Sequence, residues 1–149
     1  MRFGIRIGVA LAVLVVAVGA VAWTLAGAAE SSGSRGAGPG RARVEISIDK
    51  SRFSRSRIVV RPHTEVTFVI HNHDPILHEF IVGGPEVHAV HESGHEAQHP
   101  TKPGEVTVQP DSVGETTYVF HEPGTVVFAC HLPGHLAYGM SGEVVVEPA

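Results

Sequence analysis

The chain contains one cysteine, Cys130, so no disulfide can form within it. That excludes a disulfide-stapled scaffold, and a lone thiol in an oxidising compartment is a liability unless something protects or uses it. Cations run out early as well. Ten of the eleven Lys and Arg residues lie at or before Arg61, and Lys102 alone follows. Residues 62–149 carry twelve Asp and Glu against that single Lys. An acidic balance of this kind disfavours a nucleic-acid partner. It suits either an acidic docking face for a cationic partner or an ordinary solvated surface. No Ser-His-Asp arrangement and no phosphate-binding loop stands in the sequence.

The beginning of the chain is of a different kind. Arg2 and Arg6 precede a run from Ile7 to Ala29 without a charged residue, rich in Val, Ala, Leu, Ile and Gly. Residues 1–29 therefore read as a signal peptide or a membrane anchor, forming an apolar helix. Ala26-Gly27-Ala28 resembles a cleavage site. The length of the run, 23 residues, favours an uncleaved anchor, since roughly 20 span a bilayer. With the two arginines inside, everything after residue 30 is expected outside the cytoplasm, at the cell surface or in a periplasm. Residues 30–41 are rich in Gly and Ser and read as a flexible linker. Residues 42–149 are the domain, long enough to bury one core unaided.

Alternation with a period of two runs through that domain. Val44, Ile46 and Ile48 alternate with polar residues, as do Val66, Phe68 and Ile70. Val106 with Val108, Thr116 with Tyr118 and Phe120, Val126 with Phe128, and Val144 with Val146 repeat the pattern. Turn signals separate them, among them Asp74-Pro75, Gly83-Gly84-Pro85 and Glu122-Pro123-Gly124. About seven short strands at this spacing predict an all-β, Greek-key β-sandwich. One segment, PEVHAVHESGHEAQHP from Pro85 to Pro100, breaks the rhythm. Pro85 suits a first helical position and Glu86 a first turn. His88, His91, His95 and His99 would then fall within an arc of roughly 80° on one helical face. They form a candidate second metal site for copper or zinc, set against the plainer reading of a solvated, His-rich segment.

The strongest chemical signal lies near the C-terminus. Cys130, His135 and Met140 recur at five-residue steps on a loop between two predicted strands. One thiolate, two imidazoles and a distant thioether make a trigonal copper site suited to electron transfer. Any of the three alone is commonly core or surface; the spacing is what carries the inference. A second imidazole must come from elsewhere, and the segment from Ile70 to Phe80 offers His71, His73 and His78. At most one of His71 and His73 is expected to join His78, and both read as polar residues at a strand end. His131, next to the cysteine, is expected to point away from the metal.

A strand ending in Asn72-His73-Asp74, then a turn, then His78-Glu79-Phe80, with Cys130, His135 and Met140 downstream, resembles the cupredoxin family. More narrowly it is similar to bacterial periplasmic cupredoxins associated with copper tolerance, and the resemblance covers nearly all of residues 42–149. It implies one type 1 copper, with His78, Cys130 and His135 as equatorial ligands and Met140 as the axial one. Plastocyanin and azurin usually carry Asn after the first histidine, where this chain has Glu79. Asn72 is the candidate for the link between ligand loops that this Asn normally makes. The resemblance implies extracytoplasmic one-electron transfer, copper tolerance, or both. The alternative is copper sequestration or delivery through the His-rich segment, without a carrier role. The partner is a redox or copper-handling protein, with the membrane added if residues 1–29 are retained, and the domain reads as a monomer. An enzyme is disfavoured: Ala129 stands where a multicopper oxidase needs histidine, and a binuclear copper centre needs a second cysteine.

Overall fold

Burial follows the alternation. Val44, Ile46 and Ile48, Val66, Phe68 and Ile70, Val106 and Val108, and Val144 and Val146 all lie inside one core cluster. The computed structural model describes residues 40–94 and 100–148. The expected signal or anchor, most of the expected linker, and His95 and His99 lie outside these residues. Among the described residues no helix is long and apolar enough to cross a membrane.

The described residues form eight strands and one helix: β1 (Gly40–Ile48), β2 (Arg57–Val60), β3 (Thr64–Asn72), β4 (His78–Gly83), α1 (Pro85–Glu92), β5 (Glu105–Val108), β6 (Val113–Phe120), β7 (Gly124–Ala129) and β8 (Ser141–Val146). They form a three-stranded sheet in the order β1-β3-β6 and a five-stranded sheet in the order β2-β8-β7-β4-β5. β1 runs parallel to β3, and β2 parallel to β8. The chain thus changes sheets between β1 and β2, and that crossing carries Phe53 against Phe80 and Phe128, with ring centroids 5.7 and 5.5 Å away. Phe68 packs on Phe80 at 4.9 Å, and Phe80 on Phe128 at 5.3 Å. These edge-on and tilted contacts between aromatics from both sheets hold the sandwich together.

β4 is buried at all six positions, which hides its alternation in the sequence. Phe80 and Val82 enter the core cluster, whereas Glu79 and Ile81 face the other way. On that side α1 covers the sheet, and His91 Nδ1 stands 3.6 Å from Glu79 Oε1. α1 begins as expected, with Pro85 at its start and Glu86 in the first turn. It ends after two turns because Gly94 adopts a left-handed φ of +74°, a conformation that closes helices. The described part of the histidine stripe is therefore short, and it turns toward the sheet: His91 is buried and His88 bonds to His131.

Much of the negative charge beyond Arg61 is engaged. Asp74 and Glu79 are buried. Glu65, Glu115, Glu143 and Glu105 pair with Arg41, Arg43, Arg57 and Lys102.

Candidate metal centre

Two segments bring the chemistry-bearing side chains together. The first is the turn between β3 and β4. Asn72, buried at the end of β3, donates from its amide to the carbonyls of Ile76 at 2.8 Å and Gln109 at 2.9 Å. Its Oδ1 accepts the Asp74 amide at 3.0 Å. An Asn side chain that replaces backbone partners in this way fixes the path of a turn, and the turn delivers His78 as the first residue of β4. His78 is fully buried.

The second segment is the loop between β7 and β8. β7 stops one residue before Cys130, and β8 starts one residue after Met140. The loop closes on itself through Cys130 N–H to Met140 O at 3.1 Å, Met140 N–H to His135 O at 3.0 Å and His135 N–H to Leu132 O at 3.0 Å. Gly134 and Gly139 take φ of +85° and +86°, values that a side chain would make costly. Cys130 and Met140 are fully buried, while His135 is half-buried.

His78, Cys130 and His135 present ligand atoms that all lie within 4.8 Å of one another. Among the described residues no other group of His, Cys, Asp or Glu converges in this way. Cys130 Sγ is 3.3 Å from His135 Nδ1, and the Glu79 amide donates to the same sulfur at 3.4 Å. The two imidazole rings stand 5.0 Å apart. His78 Nε2 is taken by Asp74 at 2.8 Å, whereas its Nδ1 is buried with no hydrogen-bond partner. A buried imidazole nitrogen left bare beside a thiol and a second imidazole fits a metal ligand, and this donor set fits copper. The arrangement of His78, Cys130, His135 and Met140 is that of a type 1 copper site.

The model of the copper-binding plastocyanin/azurin family matches residues 41–147. The chain belongs to this family. Solved structures agree on the fold. Auracyanin B is 22% identical, with 72% of this chain and 89% of that one covered at a TM-score of 0.60. Reduced auracyanin from the photosynthetic bacterium Roseiflexus castenholzii is 24% identical over 76% of this chain and 100% of its own, at 0.59. Auracyanin A, a blue copper protein of the green thermophilic photosynthetic bacterium Chloroflexus aurantiacus, is 23% identical over 72% and 100%, at 0.57. No curated protein matches the chain.

In this cupredoxin the link between ligand segments differs from the expectation placed on Asn72, whose bonds serve the turn and the end of β5. Glu79 makes the link itself. Its amide holds the Cys130 sulfur, and its Oε2 accepts the His131 amide at 3.2 Å. On the far side of Glu79, His91 continues to Glu105 Oε2 at 3.1 Å. His131 points toward α1, where its Nε2 meets His88 Nδ1 at 2.8 Å. Burial, helped by the charges of His88 and His91 and opposed by Glu92, pulls His131 down to about 4. His71 lies on Glu45 at 2.6 Å, and the exposed His73 stacks on it with centroids 6.4 Å apart. Neither belongs to the converging group. The sequence reading missed Asp74 and the His131–His88 contact. The only signal for Asp74 was an acid placed four residues before His78.

Electrostatics prepare the site for a metal. Burial pushes the Cys130 thiol up to about 11, against the pull of the Glu79 and Leu132 amides. Burial, then the neighbouring His78, lowers His135, which keeps its imidazole neutral and able to ligate. At neutral pH the metal-free thiol therefore carries its proton, and a thiolate ligand must release it. Copper uptake is expected to liberate that proton. Apparent affinity should then rise about tenfold per pH unit between about pH 7 and 9, because raising pH below the thiol's pKa multiplies its thiolate fraction tenfold per unit. Calorimetry in buffers of different ionisation enthalpy, with chelator competition across this range, checks both numbers. A flat profile would mean that the thiol does not ligate.

Proposed function

We propose that this cupredoxin is an extracytoplasmic one-electron carrier, not an enzyme, whose copper is held by His78, Cys130, His135 and Met140. The observation that carries the reading is the convergence of buried His78 and Cys130 with half-buried His135, with the loop closed by the Cys130–Met140 backbone pair. Bound copper supplies a centre that accepts and returns one electron. The protein's part is to hold the donors still. Asn72, Asp74 and Glu79 brace the two ligand segments, so little has to rearrange when the charge changes. Burial of Cys130, His78 and Met140 limits water's access to the metal from their side. Extracytoplasmic placement follows from the charged, then apolar N-terminal segment. Copper tolerance remains a role that such a carrier could serve. Pure sequestration through the stripe has less support, since His88 already bonds to His131, and His91 bonds to Glu105 and faces Glu79.

The test uses the full chain loaded with Cu(II), reduced, and mixed with an oxidised c-type cytochrome under stopped flow. Second-order transfer on the order of 10⁵ M⁻¹s⁻¹ or faster is expected for a carrier. Copper that stays locked in one oxidation state would sink the carrier reading and leave a copper store.

A further inference from the structure

Asp74 is buried, yet it lies outside the ligand set, and among the described residues no other metal cluster includes it. Its Oδ1 accepts the Lys50 amide at 2.7 Å, and its Oδ2 accepts the Ser51 amide at 2.7 Å and faces His78 Nε2 at 2.8 Å. Lys50 and Ser51 hold left-handed φ values of +52° and +54°. Neither is glycine, so each conformation is strained. The two strained residues aim successive amides at one carboxylate, and its acceptance of both is what makes the turn stable. Asn72 holds the Asp74 backbone from the other side. The carboxylate is thus fixed before any metal arrives.

Both Asp74 oxygens already accept a backbone N–H, Oδ1 from Lys50 and Oδ2 from Ser51, the pattern that favours an ionised carboxylate. An ionised carboxylate only accepts hydrogen bonds. The hydrogen at 2.8 Å therefore belongs to His78 Nε2. In a neutral ring that leaves the lone pair on Nδ1, the buried nitrogen with no hydrogen-bond partner.

The geometry points to Asp74 as a positioning residue that sets His78 in its Nε2–H form and, through its charge, favours copper in the higher oxidation state. This rests on the copper reading of the site, and it goes further by assigning a determinant of the reduction potential outside the ligands. A carboxylate behind a ligating imidazole makes it a stronger donor, and a stronger, more anionic donor set stabilises Cu(II) over Cu(I). Because the same carboxylate anchors Lys50 and Ser51, the turn leading from β1 to β2 is tied to the copper's first histidine by a single side chain.

Two measurements test it. In the metal-free full chain at about pH 8, where an ordinary histidine is neutral, long-range proton–nitrogen NMR should show His78 as the Nε2–H tautomer. Finding the Nδ1–H tautomer overturns the proposal whatever copper does. In the copper-loaded chain, Asp74→Asn should keep the thiolate absorption while the ratio of Cu(II) to Cu(I) affinity falls at least tenfold, which is about 59 mV upward for one electron. A purely structural role would lower the melting temperature and leave that ratio within twofold, and this outcome also overturns the proposal. Should Asp74→Asn fail to fold, the wild-type tautomer still decides. Failure of the copper reading shows separately, as a wild-type protein that never develops thiolate absorption.

Discussion

Cys130→Ser is expected to abolish the intense visible absorption of the copper-loaded protein and to weaken copper binding by more than about 100-fold, the upper range for losing a residue that only supports a ligand from behind. The serine oxygen is smaller than the sulfur but is also an acceptor for the Glu79 amide that now donates to Sγ at 3.4 Å. The metal-free fold should therefore lose only about 1 kcal/mol. The chemistry does not survive the exchange. Sulfur is soft and becomes a thiolate on metal binding, whereas a serine hydroxyl keeps its proton at every accessible pH, leaving the metal two imidazoles and a thioether. Visible absorption and electron paramagnetic resonance before and after substitution check this. A chromophore that persists in Cys130→Ser would place the copper on histidines elsewhere, and the assignment of all four ligands would fall with it.

Glu79→Ala should produce the largest loss of stability among single changes around the site. The carboxylate is 1% exposed. It accepts the His131 amide and faces His91, which continues to Glu105. Truncation leaves a buried amide without its acceptor and a buried histidine without one of its carboxylates, in addition to an empty volume. Such losses amount to about 3 kcal/mol or more, or a fall in melting temperature of about 10 °C or more for a domain of this size. Glu79→Gln keeps an oxygen for the His131 amide and should lose less than half as much. Thermal unfolding of both variants without metal separates the two contributions. Equal stability of Glu79→Ala and wild type would mean that the link between β4 and the ligand loop is dispensable.

Strands buried on one face were legible from residues alone. Val44, Ile46 and Ile48, or Val66, Phe68 and Ile70, alternate with polar neighbours because one side meets the core and the other meets water. β4 was not, because α1 covers its second face and both sets of side chains are buried; a strand covered on both sides reads as a continuous run. α1 was legible at its start, where Pro85 and Glu86 act locally. Its end was less so, since the expected histidine face ran through Gly94. The copper ligands stood out because three of the four lie within eleven residues and His78 sits in a recognisable motif. The bracing residues did not, because their partners are far away in the sequence. Asp74 meets Lys50 and Ser51 across more than twenty residues, and Glu79 meets His131 across fifty-two. No local pattern encodes a contact of that span, so the link was assigned to Asn72, the nearer polar candidate.

The hairpin of β7 and β8 ends on the rung pairing Ala129 with Ser141, and Cys130 and Met140 are the next residues beyond it. Strand register and donor spacing are therefore one quantity. Slipping one strand of the hairpin by a single residue would turn either Phe128 or Val144 out of the core and change the spacing of the thiol and the loop's histidine in the same motion. The colour of the loaded protein thus counts correctly paired molecules. A library of core variants plated with copper could be sorted for faithful strand alignment by eye, without a binding partner or an enzymatic assay.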